Sequence, residues 1–260
     1  MLTPAQTDRV EVVLVSPRNP LNIGAAARAM ANFGFHRLSI VAPFAVNWCE
    51  AKSAVGAPDL LREAKVFSTL AEAVAHCTFV LGTGSLDKRK PAQNILGLPE
   101  AAERVRIELA VEGQPHDAPE TRLALLFGSE KHGLTADDLY WCHAIVVIDT
   151  AAEQPSMNLG QAVAVCLYEI SRAPAPVASL LANGQPSSAK PDSDQLDRLA
   201  LLIEETMDRV NYTTRGIRSA NGEALRVLLR RLMPNEADLR RMMGLFRRIL
   251  WQLSRRSEKI

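Results

Sequence analysis

Three short segments of this 260-residue chain set carboxamide, carboxylate and guanidinium groups beside glycines. That combination can grip a polar ligand with backbone and side chain together. The first, residues 16–28, reads SPRNPLNIGAAAR. Asn22 stands where a helix N-cap would be, Gly24 and the alanines after it let another backbone come close, and Arg28 falls one to two turns into the helix. The second, residues 125–134, reads LLFGSEKHGL, and Gly128 and Gly133 allow a sharp exposed turn that holds Glu130 between them. The third, residues 148–162, reads IDTAAEQPSMNLGQA. Either Ser156 or Asn158 can cap the helix whose apolar face begins at Leu159. Free amides at such a helix start suit an electron-rich edge or a carboxylate.

Each segment follows an apolar run that has the character of a buried strand. Runs at residues 10–16, 38–42, 79–82, 123–127 and 144–148 predict strands, with a further short one at Val66 and Phe67. Helical patterns lie between them at residues 23–33, 70–76, 100–111, 135–142 and 159–172. This βαβα order predicts an α/β fold: a mostly parallel sheet with helices on both faces. In such sheets ligands collect beyond the strand ends, where all three segments fall. Residues 174–195, rich in Pro, Ser, Ala and Gly, are expected to be a linker between a domain at 1–173 and a helical extension at 196–260. The extension has helical patterns at 196–211, 221–233 and 236–256, the last introduced by Pro234 and Asn235.

Net charge is only +1, but it is unevenly spread. From Leu196 to Ile260 there are 14 basic and 8 acidic residues, against 16 and 21 in the remaining 195. A basic tail on a mildly acidic body is the asymmetry expected of a module that handles a polyanion. Hydrophobic residues make up 47% of the chain, enough for a substantial core. No apolar run of about 18 residues is present, so no membrane span is expected. The first residues, MLTPAQTDRVEVVLVS, lack the pattern of a secretory signal. Cys49, Cys77, Cys142 and Cys166 are scattered, which fits reduced thiols in a cytoplasm.

Several other sites fall short of a pattern. Gly82-Thr83-Gly84 follows a strand, but Asp87 occupies the third glycine position of a dinucleotide fingerprint. No Walker A string or hydrolase elbow is present. His132, Cys142 and His143 lack a fourth ligand at metal-binding spacing, so no metal is expected; they read as a surface histidine and a half-buried cysteine. Trp48, Trp141 and Trp251 read as packing residues.

Taken together, the motifs NIGAAARAM, FGSEKHGL and SMNLGQAV resemble, in order and spacing, the three motifs of the SpoU/TrmH class of the SPOUT methyltransferase superfamily. The resemblance spans residues 8–172. The segment RRLMPNEADLRRMMGLFRRIL in the tail further resembles the TrmJ subgroup, which methylates the anticodon-loop ribose at tRNA position 32. It implies a C-terminal deep trefoil knot in the catalytic domain, a homodimer and S-adenosylmethionine as cofactor. Carried onto this chain, the cofactor loops are Thr83, Gly84, Ser85, Gly128, Ile148, Pro155, Ser156 and Met157. The reacting ribose would meet Asn22, Arg28, Glu130, Ser156 and Asn158. The family's arginine has been given the part of a general base. A guanidinium stays charged at physiological pH, so phosphate binding and stabilisation of the developing 2′-oxyanion suit Arg28 better. The tail would hold RNA, tRNA above all, through Arg226, Arg230, Arg231, Arg240, Arg247 and Arg248. An intracellular tRNA 2′-O-methyltransferase is the expectation. A ribosomal-RNA methyltransferase, a catalytically silent RNA-binding protein and an ordinary nucleotide-binding domain are the alternatives.

Overall fold

The computed structural model describes residues 2–44, 57–85, 91–110, 122–172, 189–212 and 218–257. Strands β1 (Val10–Val15) and β6 (Leu123–Phe127) are buried along their whole length. Continuous apolar strands of this kind need cover on both faces, which a helix-wrapped parallel sheet supplies. The sheet runs β3 (Lys65–Phe67), β2 (Arg37–Val41), β1, β6, β4 (Phe79–Thr83), β7 (Ala144–Val147), β5 (Asn94–Gly97), and every pairing is parallel. Val12 lies opposite Leu38 on one side and Leu125 on the other.

Side chains alternate between two cores, as the two-residue period of a strand requires. Val12, Leu14, Leu125 and Phe127 pack with helices α2 (Pro20–Phe33), α5 (Leu98–Ala110) and α7 (Leu159–Ser171). Val13, Val15, Ala124 and Leu126 pack with α4 (Leu70–Val74) and with residues flanking the short helix α6 (Ala136–Leu139). Each such valine, leucine or phenylalanine side chain contributes about 1.5–3 kcal/mol relative to exposure. Glu11 is the polar exception within β1. It is buried, accepts from the Ser39 hydroxyl, and lies 2.7 Å from His76 Nε2. Burial alone would raise its pKa; His76 and Ser39 outweigh that and hold it below the ordinary value.

The strands follow the sequence expectation closely, with differences at the margins. Strand β5 was not foreseen: it is a four-residue edge strand, partly exposed and without alternation. Short helices α1 (Pro4–Thr7) and α3 (Pro58–Arg62) were also missed. Helix α2 begins at Pro20, not Ile23, because Asn19 is its cap and accepts from the Leu21 amide (3.0 Å). Asn22 therefore sits inside the first turn and is free for another task. Gly34, at φ 75°, closes the helix in the left-handed conformation that glycine favours.

Three helices follow: α8 (Ser193–Arg209), α9 (Arg218–Leu232) and α10 (Glu236–Ser257). Leu196, Leu199, Ala200, Leu229 and Leu239 form their small core. Of the expected linker, residues 174–188 lie outside the described residues, and residues 193–195 are helical. An Asp192–Gln195 capping box starts α8 three residues earlier than the apolar pattern suggested. The helices attach near the starts of the strands. Ser193 donates through both its amide and its hydroxyl to the Cys77 carbonyl (3.0 Å each), and Lys190 reaches both Glu108 oxygens (2.5 Å). Among the described residues, no helix is long and apolar enough to cross a membrane.

Candidate active site

At the far edge of the sheet, the ends of β4, β6 and β7 open into a cavity of about 330 Å³. The chain leaves β4 through Thr83, Gly84 and Ser85, with the Thr83 hydroxyl donating to the Leu126 carbonyl (2.8 Å) and the Gly84 amide to that of Val146 (3.1 Å). It leaves β6 through a tight turn in which the Gly133 amide donates to Ser129 O (2.8 Å). Gly133 has φ 67°, and a Cβ on Gly128 would lie 2.0 Å from the Gly133 carbonyl carbon. Both glycines are therefore required by the turn itself. Ile148 and then Pro155, Ser156 and Met157 close the third side, and Leu134, Leu159 and Ala162 supply apolar wall.

A chain of hydrogen bonds joins the three sequence motifs beside this cavity. Glu130, in the cavity wall, accepts from the amides of Arg18 (2.9 Å) and Asn19 (3.0 Å) and from Asn22 Nδ2 (2.9 Å). Asn22 Oδ1 in turn accepts from Asn158 Nδ2 (2.9 Å). Asn158 Oδ1 caps α7, accepting from Gly160 N (2.9 Å) and Gln161 N (3.4 Å). The cap is thus Asn158, which leaves Ser156 to face the cavity. Partial burial would raise the Glu130 carboxyl, but the donors from Asn22 and the backbone prevail and lower its pKa. Just before this network the backbone is strained: Ser16, directly after β1, has φ 49°.

The structure therefore brings together all eight residues expected at the cofactor, with Glu130 among them in the cavity wall and Asn22 and Asn158 bonded to it in series. Arg28 stands apart from the cavity wall. It is exposed on α2, six residues beyond Asn22, which is about 9 Å along the axis. Sequence reasoning missed Thr150 in the wall and the amides of Arg18 and Asn19. Thr150 lay within the third segment, residues 148–162, and was findable; backbone donors leave no mark in residue type.

The arginines of the tail divide. Arg231, Arg240, Arg247 and Arg248 are exposed. Arg226 is occupied by Asp197 (2.8 Å) and Glu204 (2.5 Å). Arg230 is 1% exposed, which corrects the expectation that it meets a phosphate: its guanidinium is turned inward onto Trp141. Trp251, expected to pack, is 43% exposed between Arg248 and Arg255 (4.1 and 4.7 Å from the ring centre). Cys142 is fully buried instead of half-buried, and His143 beside it is buried as well. Burial, with Arg230, Lys190 and Arg104 nearby, pushes His143 down to about 3, so it is neutral; its Nδ1 accepts from Val80 N (3.1 Å). His132 is exposed, while Trp48 and Cys49 lie outside the described residues.

Residues 9–168 match the profile of the SpoU rRNA Methylase family. The chain belongs to the SpoU methylase family. Relatives of this SpoU member include the tRNA (cytidine/uridine/adenosine-2′-O-)-methyltransferase TrmJ of Pseudomonas aeruginosa, 39% identical over 181 residues. That match spans 69% of this chain and 65% of the relative. The tRNA (cytidine/uridine-2′-O-)-methyltransferase TrmJ of Sodalis glossinidius is 30% identical over 237 residues, 91% of this chain and 89% of the relative. Among solved structures, TrmJ from Z. mobilis superposes with a TM-score of 0.77 at 29% identity, covering 92% of this chain and 98% of that one. A probable methyltransferase from Bordetella pertussis gives 0.56 at 30% identity, over 65% and 98%.

Proposed function

We propose that this protein is an S-adenosylmethionine-dependent tRNA ribose 2′-O-methyltransferase that modifies cytidine or uridine at anticodon-loop position 32. The observation that carries the reading is the hydrogen-bonded series Glu130–Asn22–Asn158 beside a cavity at the ends of β4, β6 and β7. It ties the three family motifs into one site. The names of the TrmJ relatives supply the reaction and the RNA class.

The cavity residues fit the cofactor. Apolar wall from Leu134, Leu159 and Ala162 faces strand-end backbone that can read an adenine edge, and the volume suits a small-molecule site. Glu130, kept ionised by its donors, favours a cationic ligand. S-adenosylmethionine supplies an electrophilic methyl group on a sulfonium. The protein's task is to align the acceptor hydroxyl and make it a better nucleophile. Asn22 and Glu130 fix the loop after β1, and Asn158 fixes the start of α7, so Ser156 and Met157 stay at the cavity. Arg28, which stands apart from its own chain's cavity, is proposed to serve the cavity of a second copy in the homodimer, where it binds the phosphate beside the target ribose and stabilises negative charge developing on the 2′-oxygen. Arg28→Lys should lower turnover about ten-fold or more through loss of the bidentate fork; full activity in that variant would remove this role.

The catalytic unit, residues 1–173, is proposed to thread into a deep trefoil knot around the loops at 83–85, 128–134 and 148–157. It is proposed to form a homodimer in the cytoplasm, with exposed Leu21 on α2 and Tyr168 on α7 contributing apolar surface. No metal is required by this chemistry. The helices from α8 onward hold RNA through Arg231, Arg240, Arg247 and Arg248. The deciding experiment methylates total tRNA and ribosomal RNA with labelled cofactor and maps the modified nucleoside. Label in a 2′-O-methylated pyrimidine of tRNA is expected. Label in ribosomal RNA would move the substrate, and label on a base would overturn the reaction.

A further inference from the structure

Arg230 heads the fully buried side chains by volume among the described residues. Removing a guanidinium from water costs several kcal/mol unless partners replace the solvent. Here the partners outside its own helix belong to one turn of the catalytic body. Nε donates to the Trp141 carbonyl (3.1 Å), and the guanidinium carbon lies 4.9 Å from the Trp141 ring centre. Nη1 donates to the Arg226 carbonyl (3.4 Å), while Nη2 has no hydrogen-bond partner among the described residues. Burial pulls this arginine down to about 10, partly opposed by Asp197. So costly an arrangement at an ordinary helix contact calls for a reason.

The reason lies in what Trp141 belongs to. The segment at residues 134–142 starts at the cavity, which Leu134 lines, and crosses one face of the sheet through α6. It ends at a turn in which Trp141 and Cys142 donate their amides to Asp138 and Leu139. Three of its side chains bear on Gly82. A Cβ there would lie 2.6 Å from Cys142 Sγ, 3.0 Å from Leu134 Cδ1 and 3.4 Å from Leu139 Cδ2. Gly82 leads directly into Thr83, Gly84 and Ser85, the first wall of the cavity. A second tie from α9 reaches the same segment: Tyr140 Oη donates to Glu223 (2.7 Å).

We infer that Arg230 is a positioning residue for cofactor binding: by clamping the Trp141–Cys142 turn, α9 fixes the bed on which the loop at residues 83–85 rests. The C-terminal helices then shape the cavity as well as holding RNA. By linkage, an occupied cavity stabilises the docked helices by the same factor. The inference rests on reading the cavity as the S-adenosylmethionine site.

Calorimetric titration of the full chain with S-adenosylmethionine, in the absence of RNA, tests it. Arg230→Met should weaken binding about ten-fold. Arg230→Lys should recover part of the loss, because an ammonium can still sit over the Trp141 ring. Arg198→Met, which removes an exposed guanidinium from α8, should leave affinity unchanged. Amide exchange gives a second readout, with residues 83–85 and 134–142 losing protection in Arg230→Met and not in Arg198→Met. Should Arg230→Met fail to fold, Tyr140→Phe removes the other tie alone and should weaken binding about two-fold or more. Unchanged affinity and protection in whichever of these folds overturns the inference, as does equal weakening by Arg198→Met. A wild type that binds no S-adenosylmethionine would instead sink the proposed function, and exchange would still decide whether Arg230 orders the segment.

Discussion

Asn22 uses both ends of one carboxamide: its nitrogen donates to Glu130 and its oxygen accepts from Asn158. No other common side chain of that length offers a donor and an acceptor side by side. Glu130 supplies the most direct test at this scale. The hydrogen bonds that lower its pKa stabilise the ionised form. Their contribution is complete above the ordinary value of 4.5 and fades as pH falls through the lower folded value. Glu130→Gln should therefore be less stable than wild type near neutrality, by a margin in melting temperature that shrinks as pH falls below about 4.5. An equal margin at both ends of that titration would mean the charge of Glu130 is not what its donors recognise. Asn22, Glu130 and Asn158 were legible in the sequence because their types and motif spacing are distinctive. Arg230 was not, because a basic helix reads the same whether a given arginine points to solvent or to a partly buried tryptophan.

The contact between α2 and α7 sets the angle between the helices that carry Asn22 and Asn158. At its closest point Gly160 lies against Ala25, and a Cβ on Gly160 would stand 2.6 Å from that of Ala25. Gly160→Ala should lower stability by about 1–3 kcal/mol, read as a fall in denaturation midpoint. Adding Ala25→Gly should return most of the loss; no rescue would place the strain elsewhere. The long buried strands β1 and β6 were evident from their apolar runs, since burial on both faces removes alternation but not hydrophobicity. Strand β5 left no such trace, because an edge strand of four residues is held by its ladder to β7 and not by side-chain burial. The start of α8 was hidden within a Pro- and Ser-rich stretch, although Asp192 and Gln195 carry the capping signal.

Across the molecule, a net charge of +1 conceals a basic extension on an acidic body. Exposed Arg247 and Arg248 on α10 should make tRNA binding strongly salt-dependent. Their joint replacement by glutamine should reduce the slope of log affinity against log salt by about 1.4–1.8. Cofactor affinity should stay the same, and an unaltered slope would remove α10 from the RNA interface. The division of the chain into sheet and helices was readable from pattern alone, while the attachment of α8 and α9 through Cys77, Glu108 and Trp141 depends on distant partners that no local pattern encodes. The strand order has a last consequence, for biosynthesis. Strand β6 pairs on one side with β1 and on the other with β4, both of which leave the ribosome well before it. Until residue 127 emerges, two apolar strands stand with unsatisfied ladders and the middle of the sheet is missing. The nascent chain must travel through a sticky interval before it can close, which makes it a natural client for chaperones and gives it the slow folding of a fold dominated by non-local pairing.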